Sequence, residues 1–202
     1  MPRPCVLPAA LAAAIPIFAA TATSAATRNE AVLAEINFAR MHPAQYGREL
    51  EHAALRGGPE GLSEIGNEDV GALAHALAFL ERQRPLPPLE ESAGLDAAAR
   101  AHALAQGRTH EVGHVSPDGA TLSDRLHRHG VWSGLSGEDI SYGYQSPRDI
   151  VRQLIVDSGV PDRGHRQNIF GAHYRAVGVA CAPHREYGAM CVIEFAGALV
   201  KR

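Results

Sequence analysis

Two short runs near the C-terminus constrain this chain more than any other feature. Val177, Val179 and Cys181 alternate with other residues, and Cys191, Ile193 and Phe195 do the same. Such alternation marks strands with one buried face. Set antiparallel with Cys181 opposite Cys191, the runs bring Val179 opposite Ile193 and Val177 opposite Phe195. One register then puts all six side chains on one face, because successive side chains change face. The turn falls within residues 183–188. The sequence thus predicts a hairpin stapled by a Cys181–Cys191 disulfide. The alternative is two reduced cysteines in a buried sheet.

The N-terminus bears on that choice. Arg3 precedes an apolar run from Val6 to Ala20, and small residues follow through Ala26. This is the order of a secretory signal. The run falls short of the ~20 residues of a membrane span, and Pro8 and Pro16 interrupt it. Cys5 precedes the run, where a lipidated cysteine would follow it. We expect residues 1–26 to be a signal peptide and 27–202 to form one domain. The mature protein is expected to be secreted, extracellular or periplasmic, with no transmembrane anchor. An oxidising compartment favours the disulfide.

At 202 residues, one domain is the natural reading. Hydrophobic residues at 46% and charged residues at 20% are globular values. The net charge of −3 and the lack of a basic patch exclude nucleic acid as an expected partner. Eleven histidines make metal or acid–base chemistry worth seeking.

Helices are expected over 30–40, 43–55 and 70–80, with a glycine-rich loop over 57–71 and a stop at the prolines of 84–88. Residues 43–88 read as an elaboration of the single domain. The strongest helical pattern spans 92–109, with Leu95, Ala98, Ala99, His102 and Ala105 on one stripe. Thr121 with Asp124 forms a capping-box pattern. Ser146-Pro147-Arg148-Asp149 opens a further helix, and another begins near His165. Residues 140–144 supply a third strand. Helices followed by a small antiparallel sheet give an α+β class.

There is no glycine-rich phosphate loop, HExxH motif or GxSxG elbow. Three polar clusters remain: 113–119, 136–143, and Asp157 with 163–169. Two histidines and two carboxylates from these clusters are a donor set that suits a divalent ion such as zinc. The intervals are long, so only the fold can bring them together.

In order and spacing these segments resemble the CAP superfamily of cysteine-rich secretory proteins, antigen five and plant pathogenesis-related proteins, and most of all its bacterial SCP-domain branch. The matching residues are Ile36-Asn37-x-x-Arg40, His114-x-Ser116-Pro117-Asp118-Gly119, Gly137-Glu138-Asp139-Ile140, Gly164-His165-Arg166-x-Asn168-Ile169, Val177-Gly178-Val179 and the strand ending at Phe195. The likeness covers about residues 30–197. It implies an α-β-α sandwich with a small central antiparallel sheet flanked by helices. It also implies a cleft in which His114, Glu138, Asp157 and His165 hold a divalent metal, directly or through water. Family members often carry glutamate three residues after a tryptophan, where this chain has Asp157 after Leu154. Asp139 stands where asparagine is usual, and residues 43–88, longer than in a minimal member, are expected to wall the cleft.

Each residue also has a plainer reading. His114 can bond a loop backbone, and His165 can simply open a helix. Glu138 can orient a histidine without touching metal, and Asp157 can pair with Arg163 or Arg166. Arg166 and Asn168 read as structural, and His102 as a satisfied core histidine. His110, His127, His129, His173 and His184 read as surface residues. Trp132 and Tyr142 are expected at the cleft edge. Three functions follow from the resemblance. The first is a secreted module whose metal cleft binds an extracellular ligand (lipid, sterol, glycan or protein). The second is a metal-assisted hydrolase with Glu138 as general base. The third is an envelope interaction protein with a vestigial cleft.

Overall fold

The computed structural model describes residues 27–56 and 69–200. The expected signal peptide over 1–26, and all but the end of the expected loop over 57–71, lie outside the described residues.

Helix α1 (Arg28–Met41) begins at a capping box missed in the sequence: Glu30 N donates to Thr27 Oγ1, and Thr27 N donates to the Glu30 carboxylate. Helices α2 (Pro43–Arg56) and α3 (Val70–Arg82) pack on each other. Strand β1 (Glu90–Glu91) leads into α4 (Ala93–Gln106), and α5 (Leu122–Arg128) opens at the Thr121–Asp124 capping box. Strand β2 (Ser136–Tyr142) starts four residues before the expected strand. Helix α6 (Pro147–Val156) carries its Ser146 cap and Pro147 at the first turn, as expected. Helix α7 (Gly164–Ile169) and strands β3 (Ala176–Ala182) and β4 (Met190–Ala196) complete the order.

The sheet runs β1-β3-β4-β2. β2, β4 and β3 are antiparallel, and the two-residue β1 joins β3 in parallel. The β3–β4 register pairs Cys181 with Cys191, Val179 with Ile193 and Val177 with Phe195. The disulfide closes across it at a Cα–Cα distance of 4.0 Å. One sheet face buries Val177, Val179, Ile193 and Phe195 against α1, α2, α3 and α6 through Ile36, Tyr46, Leu80 and Leu154. The other face packs Ala180, Val192 and Ile140 on Ala99 and Ala103 of α4. Helices on both faces make the α-β-α sandwich.

Two of the family-like motifs have direct physical roles here. Asn37 exchanges hydrogen bonds with the backbone of Leu89, and Arg40 donates to Pro87 O. Together they hold the segment after the proline cluster in place as β1. In Val177-Gly178-Val179, the glycine lets α4 lie directly on β3. A Cβ at Gly178 would stand 2.2 Å from the Leu95 carbonyl carbon. We expect Gly178→Ala to destabilise the fold by roughly 2–3 kcal/mol, read from urea unfolding. An unchanged midpoint would contradict this packing.

Candidate functional site

A cleft of about 380 Å³ lies along β2, an edge strand, lined by Val112, Gly113, His114, Ile140, Tyr142, Gln153, His165 and Tyr187. His114 comes from the loop after α4. Gln153 and His165 come from α6 and α7 on the opposite layer. The cleft therefore brings together two histidines 51 positions apart in the sequence.

Each histidine is backed by one acid. His114 Nδ1 lies 2.8 Å from Glu138 Oε1, and His165 Nδ1 lies 2.6 Å from Asp157 Oδ1. The acid side chains are 2% and 0% exposed, whereas the rings are 56% and 20% exposed. The acids thus sit behind the rings. A carboxylate at Nδ1 accepts a hydrogen bond from Nδ1–H, so a neutral ring presents its Nε2 lone pair. The four expected site residues form two acid–histidine pairs. Among the described residues, no three or more His, Cys, Asp or Glu side chains are grouped to hold a metal ion.

Local backbone geometry explains the second pair. Asp157 ends α6 in the left-handed region at φ 58°. This aims its carboxylate at the start of α7, where Oδ2 accepts from His165 N at 3.0 Å. The expected alternative of an ion pair with Arg163 or Arg166 gives way to other contacts. The Arg163 side chain donates to the Asp157 backbone carbonyl. Arg166 donates to the carbonyls of Ile155 and Val156, which closes the end of α6. Asn168 donates to Asp139 Oδ1 at 2.7 Å and accepts from Tyr174.

The first pair rests on a buried network. Arg125 of α5 pairs with Glu138 Oε2 and donates to the carbonyls of His114 and Ala120. Its Nε is 3.5 Å from Glu194 Oε1. His102 is fully buried, as expected. Its Nε2 faces Gly113 O at 3.0 Å and its Nδ1 faces Ser116 Oγ at 2.8 Å. The ring therefore donates to the carbonyl and accepts from the serine. Burial, then the Arg125 charge, push its pKa down and favour this neutral form. Tyr142 Oη accepts from Gly113 N and donates to Gln106 Oε1, which fixes the loop that carries His114.

Three expectations change. His184 is buried, not a surface residue: its Nε2 donates to Glu111 O, and its ring packs beside Tyr142 and Tyr187. Trp132 stacks on His127 away from the cleft lining, while Tyr142 does line it. No described residue of 43–88 lines the cleft. Arg125, Gln153 and Glu194 escaped sequence reading. The one signal for Glu194 was a lone acid inside the apolar run 191–196.

Two buried acids beside the site are pushed toward their neutral forms. Burial raises Asp139 well above the usual carboxylate range, against the Asn168 hydrogen bond, and the neighbouring Asp157 and Glu138 charges add to it. Burial raises Glu194 to about 8, with Glu138 adding to the shift and Arg125 opposing it. Between about pH 4.5 and 8, folded Glu194 keeps a proton that the unfolded chain releases. Its contribution to stability therefore falls as pH rises through that window, by at most about 1.4 kcal/mol per unit. The stability gained by Glu194→Gln should grow from pH 5 to pH 8 in denaturant titrations. A gain independent of pH would refute the assignment.

The sequence profile of the cysteine-rich secretory protein family matches residues 33–195. The chain belongs to the CAP family. No curated protein matches it. Among solved structures, this CAP chain is similar to an SCP-domain extracellular protein of Bacillus anthracis (24% identity, TM-score 0.49), covering 63% of this chain and 41% of that one. It is also similar to an outer surface protein of Borrelia burgdorferi (19%, TM-score 0.46; 55% and 79% covered). A third is a cysteine-rich secretory protein of Staphylococcus aureus (13%, TM-score 0.43; 66% and 40% covered). The matched part spans less than half of the Bacillus and Staphylococcus chains. Among the described residues, no helix is long and apolar enough to cross a membrane.

Proposed function

We propose that this is an exported CAP module whose cleft binds a divalent cation, zinc by preference, through Nε2 of His114 and His165, and through it an extracellular ligand. The observation that carries the reading is that both histidines line one cleft with Nδ1 held by a buried acid. A carboxylate behind each ring orients it and raises its basicity toward metal. Imidazole suits zinc, and two protein nitrogens leave positions open for water or ligand. Such a site is exchangeable, unlike a closed structural zinc site. When bound, the cation supplies a Lewis-acidic contact for a ligand oxygen or nitrogen. Glu138 and Asp157 hold the rings, and Arg125 holds Glu138.

The leader over residues 1–26 and the Cys181–Cys191 bridge both support export to an oxidising compartment. The hydrolase reading, with Glu138 as general base, has less support. Both Glu138 oxygens are already engaged, by His114 and Arg125.

Calorimetric titration of the metal-stripped protein with zinc tests the proposal. The wild type should bind one ion, and His114→Ala or His165→Ala should each abolish saturable binding. A folded wild type that binds no zinc would leave the metal-free interaction module as the better reading.

A further inference from the structure

Strand β2 ends the sheet, so one of its edges faces β4 and the other faces no strand. In an antiparallel ladder, alternate residues turn both backbone groups toward the partner, and the residues between turn theirs away. Gly143 N donates to Ala189 O just past one end of the β2–β4 ladder, and Gly197 N donates to Leu135 O just past the other. The register between them is unbroken. Asp139 and Ser141 therefore bond to β4, while Glu138, Ile140 and Tyr142 point N–H and C=O off the free edge. Asn168 Nδ2 reaches Glu138 O at 3.4 Å from α7, which agrees with that direction. Among the described residues, no other group bonds to the outward N–H and C=O of Ile140 and Tyr142. The free edge opens on the cleft, which is lined by Ile140 and Tyr142, by His114 from one layer and by His165 from the other. A cavity that touches both layers and β2 lies beyond the strand, because β4 fills its inner side. Edge strands are normally covered, charged or bulged against pairing. Here α7 covers the Glu138 end, and the stretch 140–142 stays open beside the histidines.

We propose that the cleft takes an extended segment of a protein partner, which pairs with the backbone of Ile140 and Tyr142 and adds a strand to the sheet. This rests on the reading of the cleft as a ligand site and makes no use of the cation. An extended chain carries donors and acceptors at the repeat this edge presents, and strand addition is a general mode of peptide recognition. Acyl chains and sterols carry no such repeat. The cleft walls set the side chains that fit. Val112 and Tyr187 are 54% and 48% exposed, and the Tyr187 ring lies 5.5 Å from that of Tyr142. His165 stands on the other wall. Successive side chains of the added strand change face, so the fitting segment has an apolar residue at every second position.

Amide hydrogen exchange in the metal-stripped full chain tests the edge first. The amides of Ile140 and Tyr142 should exchange about tenfold faster than those of Asp139 and Ser141, which bond to β4. Equal protection at all four would mean that the edge is already covered, and would overturn the proposal. Phage-displayed random peptides of about seven residues are then selected on the same protein. The selected peptides should slow exchange at Ile140 and Tyr142. N-methylation should weaken them about tenfold at alternate positions, where a backbone donor is lost, and little at the positions between. No enriched peptide, peptides that leave both amides unchanged, or N-methyl losses without alternation would each overturn the proposal. Protection of both amides by phosphatidylglycerol vesicles but by no peptide would assign the cleft to lipid and overturn it as well. Zinc calorimetry separates the two readings. Peptide binding without zinc binding removes the cation alone, and zinc binding without peptide binding removes the added strand alone.

Discussion

Replacing Arg125 by methionine should destabilise the folded protein by about 3–5 kcal/mol, the range for breaking a buried ion pair from one side. The side chain is 2% exposed and lies between Glu138 and Glu194, which face each other across the β2–β4 register. Its loss would leave two buried acids with no cation between them, and the carbonyls of His114 and Ala120 without its donor. Methionine fills similar volume, so the cost reflects charge and hydrogen bonding more than packing. The same change frees Glu138 and the His114 loop, so cleft geometry should loosen with the fold. The cost should be smaller at pH 5 than at pH 8, because Glu194 then carries a proton. Arg125→Met combined with Glu194→Gln should recover part of the loss, since contacting residues are not additive. A cost below about 1 kcal/mol at pH 8 would mean that Arg125 does not hold these acids.

Arg40→Met should cost a comparable amount, about 3 kcal/mol, for a different reason. Arg40 is fully buried, and no carboxylate pairs with it among the described residues. Its partners are the carbonyls of Pro87, Ile169 and Gly171 at 3.1, 2.5 and 3.3 Å. Two of these lie at the C-terminal end of α7, where the helix dipole favours a cation. Burial, then Arg175, lower its pKa to about 10, so it stays charged at neutral pH. Three acceptors lose their donor in the variant, each worth about 1 kcal/mol or more when left buried. Lysine should rescue little, because an ammonium cannot reproduce the guanidinium fork. Urea unfolding measures Arg40→Met and Arg40→Lys alike. An Arg40→Lys protein as stable as wild type would contradict the fork.

How much of this was legible follows from the range of each interaction. The β3–β4 hairpin was readable to the residue, because period-two alternation and a ten-residue Cys181–Cys191 separation are local signals. The Ser146 and Thr121 starts were equally local. His114 and His165 were found through the order of motifs. Their placement in one cleft depends on a layer crossing that no spacing encodes. Arg40, Arg125, Glu194 and His184 are buried polar residues whose partners include groups distant in sequence, so composition favours the surface for each. β1 was illegible for the same reason. Two acidic residues after a proline cluster become a strand because Asn37 and Arg40 hold that segment beside β3.

The central claim is that two acid-backed histidines from opposite layers meet on one ion. X-ray absorption at the zinc edge of the loaded protein tests it most directly, because imidazole rings add a distinct scattering pattern. Two imidazoles are expected in the wild-type shell, and one or a lost site in His114→Ala and in His165→Ala. A zinc shell without imidazole, or one unchanged by either substitution, would contradict the claim.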